Sequence, residues 1–343
     1  MTVLDPLTDE RWAGLVHDAP GATVFHHPAW LRLLRDAYRY ELSACCVTGE
    51  DGTPVAGLPI AEVSSRLTGR RLVALPFSDL CPPLVAPRAG ALGGASLARA
   101  LDELQHDRGL ALEVRGTGGV LGAAAPGERF HHHLLTLEAD VAAVERRFAR
   151  PQAARGVRRA RREGLTCERR TDPAALRTFY ALHVRTRRRL GVPTQPRRFI
   201  LAFERLFAEG LGFVLLVRAG DRAVAGAVFL TFRDVLTYKY GASDERFLGA
   251  RPNNLLFMEA IGWGCEHGMR TLDFGRTHWH QEGLRAFKLS WGAEEHELRY
   301  RHVGGVAPRG RSARLERLLG DAIRRSPPAA GRVLGEVLYR HAG

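Results

Sequence analysis

The sequence predicts an α/β protein with two successive domains, each built around a mixed central sheet, followed by a helical tail. Three observations lead to this prediction. The 343 residues suffice for about two domains of ordinary size. Segments in which apolar residues alternate, as in strands, are interspersed with segments in which they recur at helical spacing. The same order of predicted strands and helices occurs in both halves of the chain. We place the boundaries at residues 1–143, 144–305 and 306–343.

The first half contains apolar runs typical of strands and helices in a defined order. Helical spacing marks Trp30–Tyr38, strands follow at Glu41–Val47 and Pro54–Val63, and a short strand lies at Arg71–Leu75. A helix is then predicted over Ala91–Asp107, and a strand at Leu110–Val114. The second half has the same order, with strands at Phe213–Val217, Ala223–Phe232 and Val235–Tyr240, a helix at Asn253–His267 and a strand at Thr271–Phe274.

A short sequence echo supports a tandem duplication. Val55-Ala56-Gly57 follows the first predicted turn, and Val224-Ala225-Gly226 follows the corresponding turn in the second half. In both halves the strands first meander and are then joined through a helix. Such connections indicate a mixed sheet in each domain.

Composition excludes several classes of protein. With 45% hydrophobic and 25% charged residues the chain is globular. No apolar run is long enough to span a membrane, and the acidic segment Met1–Glu10 lacks the apolar core of a secretory signal. Five scattered cysteines form no C-x-x-C or zinc pattern. We therefore expect a cytoplasmic protein without integral membrane association and without a metal.

Charge is distributed unevenly along the chain. Residues 1–150 carry 15 arginines, no lysine and 18 acids, whereas residues 151–343 carry 35 basic and 19 acidic residues. All basic residues are arginine except Lys239 and Lys288. A basic C-terminal part favours a polyanionic partner, and an acidic N-terminal part favours a cationic amine.

The densest basic segment predicts a helix over Gln152–Glu163, ended by Gly164. Arg155, Arg158, Arg159 and Arg162 recur at helical spacing and place guanidinium groups on one face. Two interpretations stay open, a solvated face and a binding surface for a polyanion that relieves the repulsion between like charges. The tail predicts two further helices, Ser312–Arg325 and Val333–Tyr339. The first is basic and amphipathic, and packing onto the domain is preferred to binding a membrane surface.

Three segments carry a resemblance to a known family. They are Tyr238–Ser243, Arg251–Gly275 (with PNNLL and LDFG) and Glu282–Gly292 (EGLRAFKLSWG); weaker matches are Phe25–Trp30, Leu75–Asp79 and the basic helix. Over most of its length the chain resembles the Fem-type aminoacyltransferases, relatives of the GNAT superfamily. The resemblance implies two tandem GNAT-like domains. It also implies transfer of an amino acid from aminoacyl-tRNA to an amine acceptor, forming an amide.

The resemblance implies a catalytic pair, Phe287 and Lys288. In the family the lysine is thought to stabilise the oxyanion and the phenylalanine to pack on the terminal adenosine. The physical chemistry agrees, because ester aminolysis passes through an oxyanion that an ammonium stabilises, and an aromatic face stacks on a base. Lys239 is a second candidate. We further assign substrate binding to Tyr238, Tyr240, Asn254, Arg276, Glu282, Arg285, Trp30, Phe77 and Asp79, and tRNA binding to Arg155, Arg158, Arg159, Arg162 and Arg251.

The donor is predicted from one loop. GNAT enzymes hold the CoA pyrophosphate in a Q/R-x-x-G-x-G/A loop that opens a helix. Here the stretch reads Arg246-x-x-Gly249-x-Arg251-Pro252, so that an arginine replaces the small residue and a proline removes one N–H donor. We expect the helix to start near Asn253, with its side chain as cap. The loop favours aminoacyl-tRNA as donor co-substrate with no cofactor; the alternative is an acyl-CoA-dependent N-acyltransferase.

Other chemistry is less defined by the sequence. His131-His132-His133 opens a predicted strand, and His278 and His280 flank Trp279, but neither set has a metal-ligand pattern. The general base stays open between Glu282, Asp79 and the substrate itself. The acceptor is predicted to be a small-molecule or peptide amine, from secondary metabolism or from peptidoglycan biosynthesis.

Overall fold

The computed structural model describes residues 1–65, 69–116, 119–121, 124–149, 151–304 and 313–341. The chain forms two compact units. The first comprises the described parts of Met1–Arg129, Leu298–Arg311 and Val337–Gly343, and the second those of Phe130–Glu297 and Ser312–Glu336. The predicted α/β class with two mixed-sheet halves is confirmed. Among the described residues, no helix has the length and apolarity needed to cross a membrane.

The first unit contains a sheet in the order β1-β2-β3-β4-β6, continued by the last strand, β13. Its elements before residue 116 are β1 (Thr2–Leu4), α1 (Glu10–Asp18), α2 (Pro28–Tyr38), β2 (Glu41–Thr48), β3 (Pro54–Ser65), β4 (Gly69–Val73), β5 (Leu84–Val85), α3 (Gly93–Arg108) and β6 (Leu112–Arg115). Neighbours are antiparallel except β4 and β6, which run parallel and are connected through α3. Leu97, Leu101 and Leu104 of α3 bury one side of this sheet.

The strands of the second unit, which we call the second sheet, follow the order β7-β12-β11-β10-β9-β8. The remaining elements of the chain are β7 (Ala125–Thr136), α4 (Val141–Arg146), α5 (Pro151–Arg162), β8 (Leu165–Arg170), α6 (Pro173–Leu190), α7 (Arg197–Leu201), α8 (Phe203–Ala208), β9 (Gly212–Ala219), β10 (Arg222–Phe232), β11 (Val235–Ser243), α9 (Pro252–Glu266), β12 (Thr271–His278), α10 (Glu282–Ser290), β13 (Glu294–Val303), α11 (Ala313–Arg325) and α12 (Pro328–Leu338).

The repeated order predicted from the sequence is present in both units. In each, three antiparallel strands (β2-β3-β4 and β9-β10-β11) lead through a helix to a parallel strand. The echoed glycines, Gly57 and Gly226, lie on the middle strand of each set. A Cβ at Gly57 would lie 3.2 Å from Trp12 of α1, and one at Gly226 would lie 3.4 Å from Phe179 of α6. Both strands therefore need a small residue under the helix that crosses them.

Helices cover both faces of the second sheet. Phe213 and Phe229 face α9, where Phe213 meets Trp263 edge to face and Phe229 meets Phe257. The opposite face carries α6, and α11 of the predicted tail packs against α6. Because β11 and β12 are registered only over Val235–Thr237 and Thr271–Asp273, the two parallel strands separate beyond these residues. This opening lies at the carboxyl ends of parallel strands, where α/β sheets bind ligands.

Candidate functional site

Lys288 lies against an irregularity of β12. The register of β12 with β7 shifts between Asp273 and Arg276, and Gly275 in this bulge has φ +69°, a conformation that favours glycine. The N–H of Gly275 donates to Asp273 Oδ1 at 2.7 Å. Lys288 Nζ donates to the carbonyl of Gly275 at 2.9 Å and to that of Arg276 at 3.2 Å. The lysine side chain is only 2% exposed, so the bulge fixes its ammonium group near the opening between β11 and β12.

Phe287, the preceding residue of α10, lines a cavity of about 720 Å³. Its ring packs edge to face on Phe257 at 5.4 Å and on Trp291 at 6.1 Å between centroids. The volume lies within the range of about 300–1,000 Å³ typical of small-molecule sites. The cavity lining is Gln152, Arg155, Gly156, Arg159, Arg162, Arg251, Asn254, Gly283, Ala286, Phe287 and Ser290.

Four arginines give this cavity, which we call the α5–α10 cavity, a strong positive charge. Arg155, Arg159 and Arg162 come from α5, and Arg251 precedes α9. Among the described residues, Arg159 alone of the four has an ionic partner, the exposed Glu163 at 3.7 Å. The described residues that line the cavity include no carboxylate. Such a concave site attracts anions, because its low-dielectric walls focus the field of the guanidinium groups.

The start of α9 differs from the sequence prediction. The helix begins at Pro252, and its N-cap is Arg251 with φ +63° and no side-chain capping bond, so the expectation that Asn253 caps the helix is wrong. Proline is well placed at the first helical position, where an N–H would lack an intrahelical partner. The left-handed conformation of Arg251 is one that favours glycine, so an arginine is unusual at this position. Here the arginine side chain lines the cavity instead.

Close packing of α5 on α9 holds the arginines in place. An added Cβ at Gly156 would lie 2.5 Å from the side chain of Asn254, whose amide donates to the carbonyl of Ala153 at 3.4 Å. We expect Gly156→Ala to lower the free energy of unfolding by about 1–3 kcal/mol through overpacking. The matched control is Gly262→Ala on α9, where nothing lies within 4 Å. Denaturant unfolding of both variants checks this; equal stabilities would contradict the close approach.

The histidine triplet of β7 has carboxylate partners that lie far away in the sequence. His132 Nε2 lies 2.8 Å from Asp273 Oδ1, the same oxygen that receives the Gly275 N–H. His131 and His133 flank Glu295, at 3.2 and 3.1 Å from its two oxygens. These contacts connect β7 to the bulge that holds Lys288. The described residues contain no group of three or more His, Cys, Asp and Glu side chains arranged to hold a metal ion.

Glu295 is the electrostatic centre of this cluster. Arg285 of α10 donates to both of its oxygens, at 2.5 and 2.8 Å, and these bonds hold the pKa of the Glu295 carboxyl down at about 2. Because a carboxylate only accepts, His133 donates through Nε2, and its buried Nδ1 has no hydrogen-bond partner in the described chain. Burial, aided by the charge of Lys288, lowers the pKa of His133 to about 4.

The lowered pKa of His133 predicts acid sensitivity. In the unfolded chain the imidazole takes up a proton near pH 6.5, whereas the folded protein resists protonation until about pH 4. Stability is therefore lost on acidification through this window. We expect the free energy of unfolding of His133→Gln to fall less steeply than that of the wild type between pH 6.5 and 4. Denaturant titrations at several pH values test this, and parallel curves would refute it.

The remaining predicted site residues of the second unit lie in different surroundings. Tyr238 is packed on Phe257, and burial raises its pKa to about 12. Tyr240 lies on the opposite face, near His183 of α6. Lys239 is the extra residue of a bulge between β10 and β11, with Nζ 5.2 Å from the Tyr240 ring centre.

Three further predicted residues of this unit lie outside the α5–α10 cavity. Arg276 stacks on Phe130 at 4.5 Å, and Glu282 is exposed in the first turn of α10. Arg158 is exposed on α5 but does not line the cavity. The cavity therefore contains six of the predicted residues, namely Arg155, Arg159, Arg162, Arg251, Asn254 and Phe287.

Three predicted substrate-binding residues lie in the first unit. Trp30 is fully buried and donates to Ser78 Oγ at 2.9 Å. Phe77 is half-buried against Tyr38, and the carbonyl of Asp79 accepts from Tyr300. Sequence reasoning missed Glu295 and the roles of the three histidines. Their only signal was the triplet itself, since both carboxylate partners are remote in the chain.

Comparisons with known proteins agree with this architecture. Residues 147–297 match the model of the acetyltransferase (GNAT) domain. The crystal structure of FemX is similar over 87% of this chain and 97% of its own, with 16% identity and a TM-score of 0.66. The C-terminal domain of a putative lysylphosphatidylglycerol synthetase from Agrobacterium fabrum has 16% identity and a TM-score of 0.56, covering 91% of this chain and 94% of that one.

A third structure, a tandem GNAT protein from the clavulanic acid biosynthesis pathway, is 12% identical with a TM-score of 0.54, over 89% of this chain and 99% of its own. No curated protein matches the sequence. The GNAT domain identifies the chain as an enzyme of the transferase class, an acyltransferase. The predicted resemblance to the Fem-type proteins of the GNAT superfamily is confirmed in the fold, through FemX.

Proposed function

We propose that this enzyme transfers an amino acid from aminoacyl-tRNA to an amine acceptor and so forms an amide bond. The observation that carries the proposal is the α5–α10 cavity, which is lined by four arginines and by the half-buried Phe287. Arginine clusters bind phosphates, and an aromatic side chain gives a base a stacking surface worth about 1–3 kcal/mol. The 3′ end of a tRNA presents both groups side by side.

The exposed face of α5 extends the positive surface beyond the cavity. Arg158 and Arg161 are also exposed, and among the described residues the ionic partner of Arg161 is the half-buried Glu259 at 3.6 Å. Charge on this face attracts a large polyanion without a close contact, whereas a compact donor occupies the cavity alone and gains little from it. The length of the basic surface thus favours a nucleic-acid-borne donor.

The transfer itself needs no covalent enzyme intermediate. The acceptor nitrogen attacks the ester carbonyl carbon, forming the C–N bond and moving the carbonyl electron pair onto oxygen. Collapse of this tetrahedral species breaks the C–O bond to the ribose, and the departing oxygen takes the proton that the amine loses. The ammonium of Lys288, held by the Gly275 and Arg276 carbonyls, supplies positive charge for the oxyanion without reorganisation.

An acyl-CoA donor is the alternative, and one observation favours it. The cavity opens at the start of α9, which is where the GNAT loop would hold a pyrophosphate. Against it, Pro252 supplies no N–H donor, and Arg251 stands at the position where the loop pattern has a small residue. The same arginines would bind the phosphates of either donor, so the donor must be identified by reaction.

The acceptor is an amine of a small molecule or a peptide. Residues 1–150 carry more acids than bases, which favours a positively charged acceptor over a nucleotide-linked one. A metabolite amine and a peptidoglycan precursor are both consistent with this class. Use of charged tRNA would place the reaction in the cytoplasm.

A donor screen tests the proposal. The protein is incubated with a panel of amines and either a mixture of charged tRNAs or a set of acyl-CoAs, and amides are detected by mass spectrometry. We expect product with charged tRNA and its loss after RNase treatment of the donor. Product that persists after RNase, or that forms with acyl-CoA alone, would replace the proposal by the alternative.

A further inference from the structure

A second arginine-lined cavity lies on the α6 side of the second sheet. It has a volume of about 550 Å³ and lies between the C-terminal half of α6, α11 and the end of β11. Its lining is Arg185, Arg188, Arg189, Ser243, Asp244, Glu245, Arg246 and Arg324. None of these residues lines the α5–α10 cavity. We call it the α6 cavity.

The acidic residues of the α6 cavity do not cancel its positive charge. Asp244 is buried and already accepts from Arg222 at 2.8 Å and from Arg246 at 2.7 Å, and Arg185 lies 4.0 Å away. One carboxylate therefore serves three guanidinium groups. Glu245 is exposed. The excess charge of the lining is positive, with five arginines against two acids.

Two arginines of α6 contribute charge that no acid of the described chain neutralises. Arg188 and Arg189 have no ion pair there, and Arg188 Nε is buried without a hydrogen-bond partner. A buried guanidinium N–H without an acceptor is costly. An anion in the cavity would supply the missing acceptor.

Ser243 gives an independent indication of a ligand. It is only 6% exposed, yet it lines the cavity. Its backbone N–H and carbonyl are both bonded to Thr186 Oγ1, at 2.9 and 3.1 Å, whereas its own hydroxyl makes no hydrogen bond within the described residues. A fixed hydroxyl beside guanidinium groups is a common arrangement for phosphate oxygens.

We propose that the α6 cavity binds a phosphate-bearing small ligand, a phosphate ester or a diphosphate, at a site whose lining is distinct from that of the α5–α10 cavity. Arg188 and Arg189 donate to its oxygens, with the Ser243 hydroxyl as a further donor. Arg246 and Arg324, oriented by Asp244 and Asp321, close the rim. The volume of about 550 Å³ suits a compact anion.

Pyrophosphate binding to the full chain tests the site without any donor or turnover. The background is the triple variant Arg155→Gln/Arg159→Gln/Arg162→Gln, in which the α5–α10 cavity is weakened. Calorimetry on this background is expected to show one pyrophosphate bound per chain. Adding Arg188→Gln/Arg189→Gln should weaken that binding by about tenfold or more, because two charge-assisted bonds are lost.

The matched control is Arg177→Gln, which removes an exposed arginine of α6 that does not line the cavity. It should leave the affinity unchanged at the same ionic strength, and thermal melts without ligand verify that every variant is folded. Absence of binding to the triple variant, or equal affinities with and without Arg188 and Arg189, would overturn the proposal. Neither result bears on whether charged tRNA is the donor.

Discussion

Lys288→Met is expected to lower kcat for amide formation by about 10²–10³-fold while changing the KM for the donor little, since removal of an oxyanion donor has an effect of that size. Lys288 is 2% exposed, and its ammonium group donates to two backbone carbonyls of the β12 bulge. An interaction that strengthens only as the oxyanion forms contributes to kcat and not to ground-state binding. Steady-state kinetics with the donor identified by the screen measures both parameters.

Lys288→Met also has a structural effect that must be separated from catalysis. The Gly275 and Arg276 carbonyls lose their partner, which costs about 1–3 kcal/mol if both stay buried. Lys288→Arg keeps the charge, but its planar fork cannot reproduce the compact ammonium. We expect Lys288→Arg to fold with a similar melting temperature and to stay well below wild-type turnover. Full activity of either variant in a folded protein would remove Lys288 from the mechanism.

The bulge that holds Lys288 could be predicted only in part. The LDFG segment ends in Gly275, and a glycine within a strand pattern suggests a bulge. The partners of the bulge were not predictable, because His132 and Asp273 are separated by 141 residues, and His133 and Glu295 by 162. Only strand pairing brings them together. The sequence therefore shows the histidine triplet but not the charges that surround it.

The order of elements was easier to predict than the bounds of the units. Periodicity located the three meandering strands and the connecting helix in both halves, since these signals are local. The strands β7 and β13 each contribute residues to both units, with the divisions after Arg129 and before Leu298. The sequence has no local signal for a unit boundary that falls within a strand, because the alternation of apolar and polar residues continues across the boundary. The role of Trp30 was also hard to predict. The sequence predicts that it binds substrate, but it is fully buried in the core and donates a hydrogen bond to Ser78.

The arginines of α5 show how tertiary structure divides one helical face. Spacing alone placed Arg155, Arg158, Arg159 and Arg162 together. Because α10 packs beside only one side of α5, the cavity is lined by Arg155, Arg159 and Arg162, at positions i, i+4 and i+7, and not by Arg158. Arginines of the same helix can therefore be replaced by glutamine either inside the cavity lining or outside it, which gives a matched pair of variants.

Arg155→Gln/Arg159→Gln/Arg162→Gln is expected to weaken binding of charged tRNA strongly, and Arg158→Gln to weaken it little. Each lost phosphate contact flattens the slope of log K against log salt by about 0.7–0.9, so that the triple variant should lose about 2 units of slope. The reason is counterion release, which accompanies every phosphate neutralised. Filter binding of a charged tRNA at 50–200 mM salt measures affinity and slope together.

The pair of variants separates recognition in the cavity from general attraction to a basic surface. If tRNA were held by the overall charge of α5, Arg158→Gln would reduce affinity and slope by about a third of the effect of the triple variant. A cavity site instead predicts a much smaller effect, because Arg158 is exposed and lies outside the lining. Equal effects per arginine would assign α5 to nonspecific attraction. An unchanged slope in the triple variant would remove these arginines from tRNA binding altogether.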